Sequence, residues 1–296
     1  MRIGIDLGGT KTEAILMNAE GEILKRTRRP TPATEGYNAI LESIADTVNE
    51  LESLAGTSCK IGIGTPGSLA PGSHLLRNSN TVCLNGQPFQ QDLETRLGRS
   101  IRMANDANCF ALSEAIDGAG AGHGTVFGVI MGTGVGGGIV IDRKLIEGRQ
   151  HIAGEWGHNS LDPDGPGCYC GRKGCVETYL SGPGLVRAFR QSGGNQASGS
   201  HEIVTAARAG ENPASQVFNS FLENFGRALA TVINILDPDV VVLGGGMSGI
   251  KELYAEGKIA VSRHVFNEPM LTPILPNQHG DSSGVRGAAW LWDADE

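Results

Sequence analysis

The sequence has neither a long apolar run nor a block of basic residues, and each absence argues against a class of protein. No stretch approaches the roughly 20 apolar residues that a helix needs to cross a bilayer, so no membrane partner is expected. The net charge is −8. Because a nucleic-acid partner requires a basic face that displaces counterions, no nucleic-acid partner is expected either.

No signal peptide is visible, because the N-terminus enters a strand-like run at once. The sequence therefore predicts a cytoplasmic protein. In that compartment the six cysteines are more readily thiols or metal ligands than disulfides.

Two domains are expected, since 296 residues are more than one hydrophobic core usually serves. The first is predicted to be an α/β domain over residues 1–117, with a C-terminal helix at about 284–296 packing back onto it. The second is predicted to be an α/β domain over residues 118–283. Each half begins with two strands around a Gly-Thr turn, and this weak internal similarity suggests a duplicated unit.

Hydrophobic periodicity predicts strands and helices along both halves. The longest helix is expected to stop at Asp237-Pro238, because proline cannot continue a helix. Strands are expected over residues 3–6, 13–17, 60–64, 101–103, 126–131, 138–141 and 240–243. Helices are expected over residues 37–54, 92–97, 105–115, 214–236 and 284–292.

Two glycine turns that follow predicted strands have the composition of phosphate-binding loops. Glycine lets backbone N–H groups approach phosphate oxygens, and threonine and lysine add donors. An ordinary hairpin turn is the alternative for each. The first turn lacks the Walker A spacing, and the second contains G-x-G-x-x-G but is followed by a strand where a dinucleotide fingerprint requires a helix. The residues are Gly8, Gly9, Thr10 and Lys11 in the first turn, and Gly132, Thr133 and Gly134 in the second.

A third glycine group, Gly244, Gly245 and Gly246, follows a buried strand. A nucleoside could lie against its bare backbone, or the group could simply turn a strand into a helix. The two hairpin turns, one in each half, could clamp the phosphates of a nucleotide.

Asp106 is the candidate general base. It lies with Asn105 where a predicted strand gives way to a helix, so capping of that helix is the alternative role for both. In phosphoryl transfer the base orients the attacking hydroxyl and accepts its proton late. Asn105 could hold a neighbouring hydroxyl of a sugar. Asp6, which ends the first strand, is a candidate to hold Mg²⁺ through water, unless it is only a strand-end residue.

One histidine and three cysteines lie within residues 158–175, in a Gly/Pro-rich segment. Three thiolates and one imidazole make a closed tetrahedral Zn²⁺ site of the structural type, which leaves no position open for metal catalysis. The alternative, four residues with unrelated roles, is disfavoured by the density of ligands and by the glycines between them. The predicted zinc ligands are His158, Cys168, Cys170 and Cys175.

Two carboxylates, Glu155 and Glu177, flank these ligands. The metal would fix the loop of residues 155–177 that presents them. The second ring nitrogen of His158 would remain available for a substrate hydroxyl. Carboxylates and imidazole suit the vicinal hydroxyls of a sugar, and the alternative is that both glutamates are surface charges.

These motifs together resemble the ROK family (repressor, open reading frame, kinase) over essentially the whole chain. The resemblance implies a two-domain, actin-like (ribonuclease H-like) α/β fold with a cleft between the domains and a zinc-stapled loop. The matching stretches are Asp6-Leu7-Gly8-Gly9-Thr10-Lys11, Asn105-Asp106-Ala107-Asn108, Glu155-Trp156-Gly157-His158 and Cys168-Tyr169-Cys170-Gly171-Arg172-Lys173-Gly174-Cys175-Val176-Glu177.

The resemblance also implies the activity, an ATP-dependent hexose kinase that uses MgATP and carries a structural Zn²⁺. Asp106 would be the general base. ROK kinases are commonly dimers, so a homodimer is expected. The residues that would contact the sugar are Asn105, Asp106, Glu155, His158 and Glu177.

Within the family, the chain resembles bacterial fructokinases of the manno(fructo)kinase type at residues 85–89, 175–179 and 279–287. D-fructose is therefore the expected substrate, with fructose 6-phosphate and ADP as products and mannose as a further substrate. N-acetylglucosamine kinases and glucokinases of the same family are the alternatives, and residues 105–114 and 132–138 resemble N-acetylglucosamine kinases equally well.

The sequence gives less support to two other classes of protein. Sugar-sensing repressors of this family carry a helix-turn-helix ahead of the first phosphate motif, which here starts at residue 6 and leaves no room for one. A zinc-stapled sugar-binding module without catalysis would need neither the phosphate loops nor Asp106.

Overall fold

The computed structural model describes residues 1–196 and 199–292. Strands and helices are numbered separately along the chain. Among the described residues, no helix combines the length and the apolar character that crossing a membrane requires. The strands are β1 Arg2–Leu7, β2 Lys11–Met17, β3 Ile23–Pro30, β4 Lys60–Thr65, β5 Ser68–Leu69, β6 Leu76–Arg77, β7 Arg102–Asn105, β8 Thr125–Met131, β9 Val135–Ile141, β10 Lys144–Leu145, β11 Val240–Gly244 and β12 Ile274–Pro276. The helices are α1 Tyr37–Ala55, α2 Phe89–Leu97, α3 Asp106–Asp117, α4 Glu177–Leu180, α5 Gly182–Gln191, α6 Ser200–Arg208, α7 Ala214–Leu236, α8 Glu256–Ser262 and α9 Ser283–Ala289.

The chain divides into two compact units. The first holds residues 1–122, residues 138–153 and the described residues from 278 onward, and the second holds residues 123–137 and 154–277. The predicted boundary after residue 117 placed residues 138–153 in the second domain, whereas the structure places them in the first unit. These residues belong to the first unit because they pack on α3 there: a Cβ at Gly138 would lie 2.8 Å from the Ala111 Cβ.

The described residues form two five-stranded sheets that share one strand order. The first runs β3-β2-β1-β4-β7 and the second runs β10-β9-β8-β11-β12. In both, a hairpin is followed by parallel strands: β1, β4 and β7 are parallel in the first, and β8, β11 and β12 in the second. The repeated order agrees with the duplicated α/β unit that the sequence predicts.

Two glycines that lie opposite each other on β1 and β4 let α9 pack directly on the first sheet. A Cβ at Gly4 would lie 2.2 Å from the Val285 carbonyl oxygen, and a Cβ at Gly62 would lie 1.8 Å from that of Ala288. On the other side of α9, a Cβ at Gly287 would lie 1.6 Å from the Cys109 carbonyl oxygen of α3. Only glycine permits this spacing, so the backbones of β1, β4, α9 and α3 are in close contact.

The C-terminal helix ends at Ala289, earlier than the predicted residue 292. Two tryptophans that follow it turn their indoles back into the first unit. The Trp290 Nε1 donates to Asp117 Oδ2 at 3.1 Å, and the Trp292 Nε1 donates to the Ile61 carbonyl oxygen at 2.8 Å. Residues 293–296, the last part of the C-terminal segment predicted to pack back onto the first domain, lie outside the described residues.

The second unit has its core under α7, whose bounds match the prediction at both ends. Asp237 ends this helix in a left-handed conformation at φ 46°, directly before Pro238. Phenylalanines 218, 221 and 225 face the interior, and Phe225 is fully buried. Gly226 brings α8 close, because a Cβ there would lie 2.6 Å from the Ala260 carbonyl carbon.

Candidate active site

The first glycine turn links β1 to β2 and is held by Thr31. The Gly8 N–H donates to the Lys11 carbonyl oxygen at 3.0 Å, which closes the hairpin. The Thr31 N–H donates to the Thr10 carbonyl oxygen at 3.0 Å, and its hydroxyl donates to that of Gly8 at 2.7 Å. Thr31 is a supporting residue that sequence reasoning missed, since it lies 20 residues beyond the motif.

Gly8 and Gly9 are glycines for different reasons. A Cβ at Gly8 would lie 2.9 Å from the Lys11 carbonyl oxygen, so the hairpin itself excludes a side chain. A Cβ at Gly9 would meet only Asn80 Oδ1 at 3.5 Å and Thr81 Oγ1 at 3.6 Å, which are ordinary contacts. The fold therefore does not require glycine at position 9. Glycine there would allow a ligand such as a phosphate group to approach the backbone.

Asp6 lies at the carboxyl edge of the first sheet. β1 and β4 are paired in parallel up to Asp6 and Gly64, and β4 pairs with β7 up to Asn105, directly before Asp106. Carboxyl ends of parallel strands meet at one edge, which is where such sheets bind ligands. Burial and the negative charges of Asp106 and Glu13 raise the pKa of Asp6 to about 6. A carboxyl in this state is well placed to gain from a nearby cation.

Asn105 and Asp106 begin α3, as the sequence predicts. The Ala107 N–H donates to Asn105 Oδ1 and to Asp106 Oδ1, both at 2.8 Å. Asn105 also donates through Nδ2 to the Gly67 carbonyl oxygen at 3.2 Å. The capping role is therefore present. It leaves the Asp106 side chain exposed at the helix start, so capping and proton acceptance are compatible.

Asn105 also lines a cavity of about 510 Å³ within the first unit. The walls include apolar side chains such as Leu69, Met103 and Leu145, with Arg102 and Arg143 among the charged residues. Space of this kind beside the Asn105 amide can accept a bulky substituent of a ligand.

The glycine turns of the second unit lie beside each other. The Gly132 N–H donates to the Gly134 carbonyl oxygen at 2.9 Å, which closes the turn between β8 and β9. β11 is parallel to β8 and ends at Gly244, and a Cβ at Gly132 would lie 3.8 Å from the Gly246 nitrogen. Gly245 has φ 79°, and a Cβ there would lie 2.4 Å from the Met131 carbonyl oxygen, so glycine is required. The two glycine groups thus expose adjacent backbone.

The four predicted metal ligands come together in the second unit. The ligand atoms of His158, Cys168, Cys170 and Cys175 all lie within 4.8 Å of one another. His158 Nδ1 is 3.6 Å from Cys168 Sγ, and Cys170 Sγ is 3.6 Å from Cys175 Sγ. Tetrahedral zinc with bonds of about 2.0–2.3 Å would separate its ligand atoms by roughly 3.5–3.8 Å. The donor set and its spacing therefore fit a structural Zn²⁺.

The thiols also have the electrostatics of a cation site. The hydrogen bond from Arg172 lowers the pKa of Cys170 to about 6. Burial and the neighbouring Cys170 and Cys168 raise the pKa of Cys175 to about 12. Several thiols this close cannot all ionise unless a positive charge lies among them, which a divalent metal would supply.

Glu177 and the segment that begins at Glu155 both contact the start of β9. Glu177 Oε2 accepts from the Val135 N–H at 3.1 Å, and its Oε1 is 4.0 Å from Cys168 Sγ. After the exposed Glu155, the Trp156 Nε1 donates to the Gly136 carbonyl oxygen at 3.0 Å. The loop of residues 155–177 and the second glycine turn are therefore joined by direct hydrogen bonds within the second unit.

The second ring nitrogen of His158 has a partner in the structure. Its Nε2 is 3.0 Å from the Tyr169 hydroxyl, and the two rings meet edge to face with centroids 5.1 Å apart. Burial, Glu177 and Glu155 raise the pKa of Tyr169 to about 12, so this hydroxyl senses both carboxylates. Sequence reasoning had not singled out Tyr169. Its position between two cysteine ligands was the available signal.

Two glycine turns whose composition suits phosphate binding, an aspartate at a helix start and a strand order repeated in two sheets are features of an actin-like phosphotransferase. The chain matches the model of the ROK family over residues 2–295. The chain therefore belongs to the ROK family and is a sugar kinase of that family, and the predicted family and fold class are confirmed.

Similar proteins cover nearly the whole chain. The N-acetyl-D-glucosamine kinase of Vibrio cholerae serotype O1 is 38% identical over 301 residues, which cover 98% of this chain and 99% of that protein. A ROK hexokinase from Thermus thermophilus has a TM-score of 0.88 at 32% identity, covering 98% of this chain and 97% of that one. A ROK family glucokinase from Streptomyces griseus, in complex with glucose and AMPPNP, has a TM-score of 0.74 at 32% identity, covering 97% of each chain.

We predict that Asp6→Asn changes how stability depends on pH. The Asp6 pKa of about 6 lies above the ordinary value of 3.8, so the folded state binds this proton more tightly than the unfolded state. The resulting stabilisation is present below pH 4 and is lost as pH rises through 6. The variant lacks this loss, so its free energy of unfolding relative to wild type should rise by about 2 kcal/mol between pH 4 and pH 8.

Urea unfolding at several pH values, without nucleotide or Mg²⁺, measures this difference. Asp46→Asn is the control, because Asp46 is exposed on α1 of the same unit and should leave the profile unchanged. Parallel profiles for wild type and Asp6→Asn would contradict the prediction.

We predict that Cys170→Ser releases zinc. Serine is a much poorer zinc ligand than a thiolate, so one of four coordinating atoms is lost. Elemental analysis should find about one zinc per wild-type chain and far less in the variant, and residues 155–177 should become sensitive to protease. Cys83→Ser, outside the cluster, should keep its zinc. Full zinc content in Cys170→Ser would remove Cys170 from the ligand set.

Proposed function

We propose that the protein is an ATP-dependent N-acetylglucosamine kinase, which transfers the γ-phosphoryl group of ATP to a hydroxyl of N-acetylglucosamine. The observation that carries the sugar assignment is the 38% identity, over almost the full length of both chains, to a protein named N-acetyl-D-glucosamine kinase. Fructose was the substrate expected from the sequence motifs, and it is unconfirmed. The comparisons favour the alternative, an N-acetylglucosamine kinase, which residues 105–114 and 132–138 resembled equally well.

The residues of the candidate site support separate catalytic and sugar-binding roles in this reaction. Asp106 accepts the proton of the attacking hydroxyl, and its exposed carboxylate at the start of α3 is compatible with that role. The transition state of phosphoryl transfer is loose, so the base mainly orients the hydroxyl and takes its proton late. Asn105, Glu155, His158 and Glu177 hold other sugar hydroxyls, since an amide, carboxylates and an imidazole together offer donors and acceptors.

The glycine turns bind the nucleotide in this proposal. Gly8, Gly9, Thr10 and Lys11 in the first unit, and Gly132, Thr133 and Gly134 in the second, donate backbone and side-chain hydrogen bonds to the phosphates. Backbone at Gly244, Gly245 and Gly246 receives the nucleoside. Asp6 holds Mg²⁺ through water, and the bound cation would neutralise charge on the phosphates during transfer.

The zinc has a structural part in this proposal. His158, Cys168, Cys170 and Cys175 would fill a closed coordination shell, so a bound Zn²⁺ would supply rigidity rather than an activated water. A rigid loop keeps the Glu155 and Glu177 carboxylates oriented for the sugar. The homodimer implied by the family resemblance stays a prediction.

The substrate is tested by ADP release from MgATP with N-acetylglucosamine, glucose, fructose, mannose and N-acetylmannosamine. We expect kcat/KM to be about tenfold or more higher on N-acetylglucosamine than on any other sugar, because a site that hydrogen-bonds an acetamido group leaves buried polar groups unpaired without it. Highest kcat/KM on fructose would restore the first expectation. No turnover on any sugar by zinc-loaded protein would contradict kinase activity altogether.

We predict that Asp106→Asn keeps sugar binding and loses turnover. Asparagine preserves the shape and the cap of α3 but cannot accept a proton, so kcat should fall by about 10²–10⁴-fold. Calorimetry should give a dissociation constant for N-acetylglucosamine within a few-fold of wild type. Asp46→Asn, an exposed change in the same unit, should retain full kcat. Near wild-type kcat in Asp106→Asn would remove Asp106 from the base role.

A further inference from the structure

Tyr169 is an exposed aromatic residue held on a fixed backbone. It lies between Cys168 and Cys170, two of the four candidate zinc ligands. The Cys168 N–H donates to the Arg172 carbonyl oxygen at 2.8 Å, and the Gly171 N–H donates to the Cys168 carbonyl oxygen at 3.0 Å. Backbone hydrogen bonds therefore hold the chain on both sides of Tyr169. Its side chain, by contrast, is 81% exposed. Little packing therefore resists rotation of the ring.

The Tyr169 hydroxyl makes one contact of functional interest, at 3.0 Å from His158 Nε2. His158 Nδ1 faces the cysteine cluster, 3.6 Å from Cys168 Sγ. When Nδ1 binds a metal, Nε2 carries the ring proton and becomes a donor. The phenol oxygen of Tyr169 is then the acceptor for that donor.

A phenol hydroxyl and a sugar hydroxyl offer the same hydrogen bonds, one donor and two acceptor positions. The proposed function assigns a sugar hydroxyl to His158, and Nε2 is the ring nitrogen that remains available when Nδ1 faces the cysteines. The two oxygens cannot occupy the same position on a single N–H. An exposed tyrosine can turn away by a change of side-chain rotamer, which is fast and does not unfold the loop.

We propose that the Tyr169 hydroxyl is a placeholder for a sugar hydroxyl on His158, and that sugar binding exchanges one for the other. The placeholder keeps the His158 ring oriented and its N–H paired in the sugar-free protein. It also makes each sugar compete with an internal bond. This inference rests on the proposed function for the class of ligand, a hexose, and for the role of His158 in holding one of its hydroxyls.

Tyr169→Phe removes the competing hydroxyl and keeps the ring. Because a net hydrogen bond changes an equilibrium by about two- to tenfold, the dissociation constant for N-acetylglucosamine should fall by that factor. Calorimetry without nucleotide measures it, so kinase turnover is not needed. Tyr179→Phe is the matched control, since the Tyr179 hydroxyl lies in the same unit but bonds to Asp162 Oδ2 at 3.2 Å and should not affect sugar binding.

The exchange also has a direct spectroscopic readout. The chain has four tyrosines, so 3-fluorotyrosine labelling gives a small set of fluorine resonances, and the Tyr169→Phe protein identifies the one from Tyr169. Addition of N-acetylglucosamine should shift that resonance more than those of Tyr37, Tyr179 and Tyr254. Elemental analysis should find the same zinc content in Tyr169→Phe and wild type.

Other results would overturn the proposal. A higher dissociation constant in Tyr169→Phe would mean that the hydroxyl binds the sugar rather than yields to it. An unchanged constant, or a Tyr169 resonance that does not respond to sugar, would mean that the contact with His158 plays no part in binding. If wild type binds another hexose but not N-acetylglucosamine, the proposed substrate fails and the exchange is tested with that hexose. If no hexose binds, both proposals fail.

Discussion

The first unit depends on the hydrogen bonds that the buried carboxylate of Glu114 accepts. Its side chain is fully buried, and it accepts hydrogen bonds from the Ala119 and Gln278 N–H groups at 2.9 and 3.0 Å. It also accepts from the His279 N–H at 3.3 Å and from the Ser283 hydroxyl at 2.7 Å. A buried charge with fewer donors would be strongly destabilising. The helix that begins with Asp106 is thereby bonded to the segment that leads into α9.

Much of this fold could be predicted from the sequence because its elements have strong local patterns. The helix over 214–236 has a clear apolar face and a proline stop, and it was predicted to the residue. β3 was missed because Lys25-Arg26-Thr27-Arg28-Arg29 contains little that is apolar. It is an edge strand, where charged side chains are common, and Arg26 pairs with the buried Glu13 at 3.2 Å. Its stability comes from pairing with β2, which local pattern does not reveal.

In the candidate site, too, residues with a strong local pattern were predicted and residues that depend on distant contacts were not. The predicted zinc ligands are close in sequence and chemically distinctive, and their assembly in the structure agrees with the prediction. Thr31 and Tyr169 were not recognised, because the side-chain contact of each is made by a hydroxyl with a partner that the fold brings near. Residue type alone could not separate them from surface hydroxyls. The roles of Glu155, Glu177 and Asp106 remain predictions, and the exposure of Asp106 and the hydrogen bonds of Glu177 are compatible with them.

The class of reaction and the choice of sugar depend on different physical features. The sequence motifs therefore indicate the class of reaction but not the sugar. Phosphoryl transfer needs exposed backbone, a carboxylate and a cation site, and these require particular residue types at strand and helix ends. Discrimination among hexoses depends on whether one substituent finds a partner or leaves a buried polar group unpaired. Asn105 lines a cavity with both apolar and charged walls in the first unit. A cavity assembled from β5, β7, α3 and β10 has no single motif, so the sequence can indicate a sugar kinase without identifying its sugar.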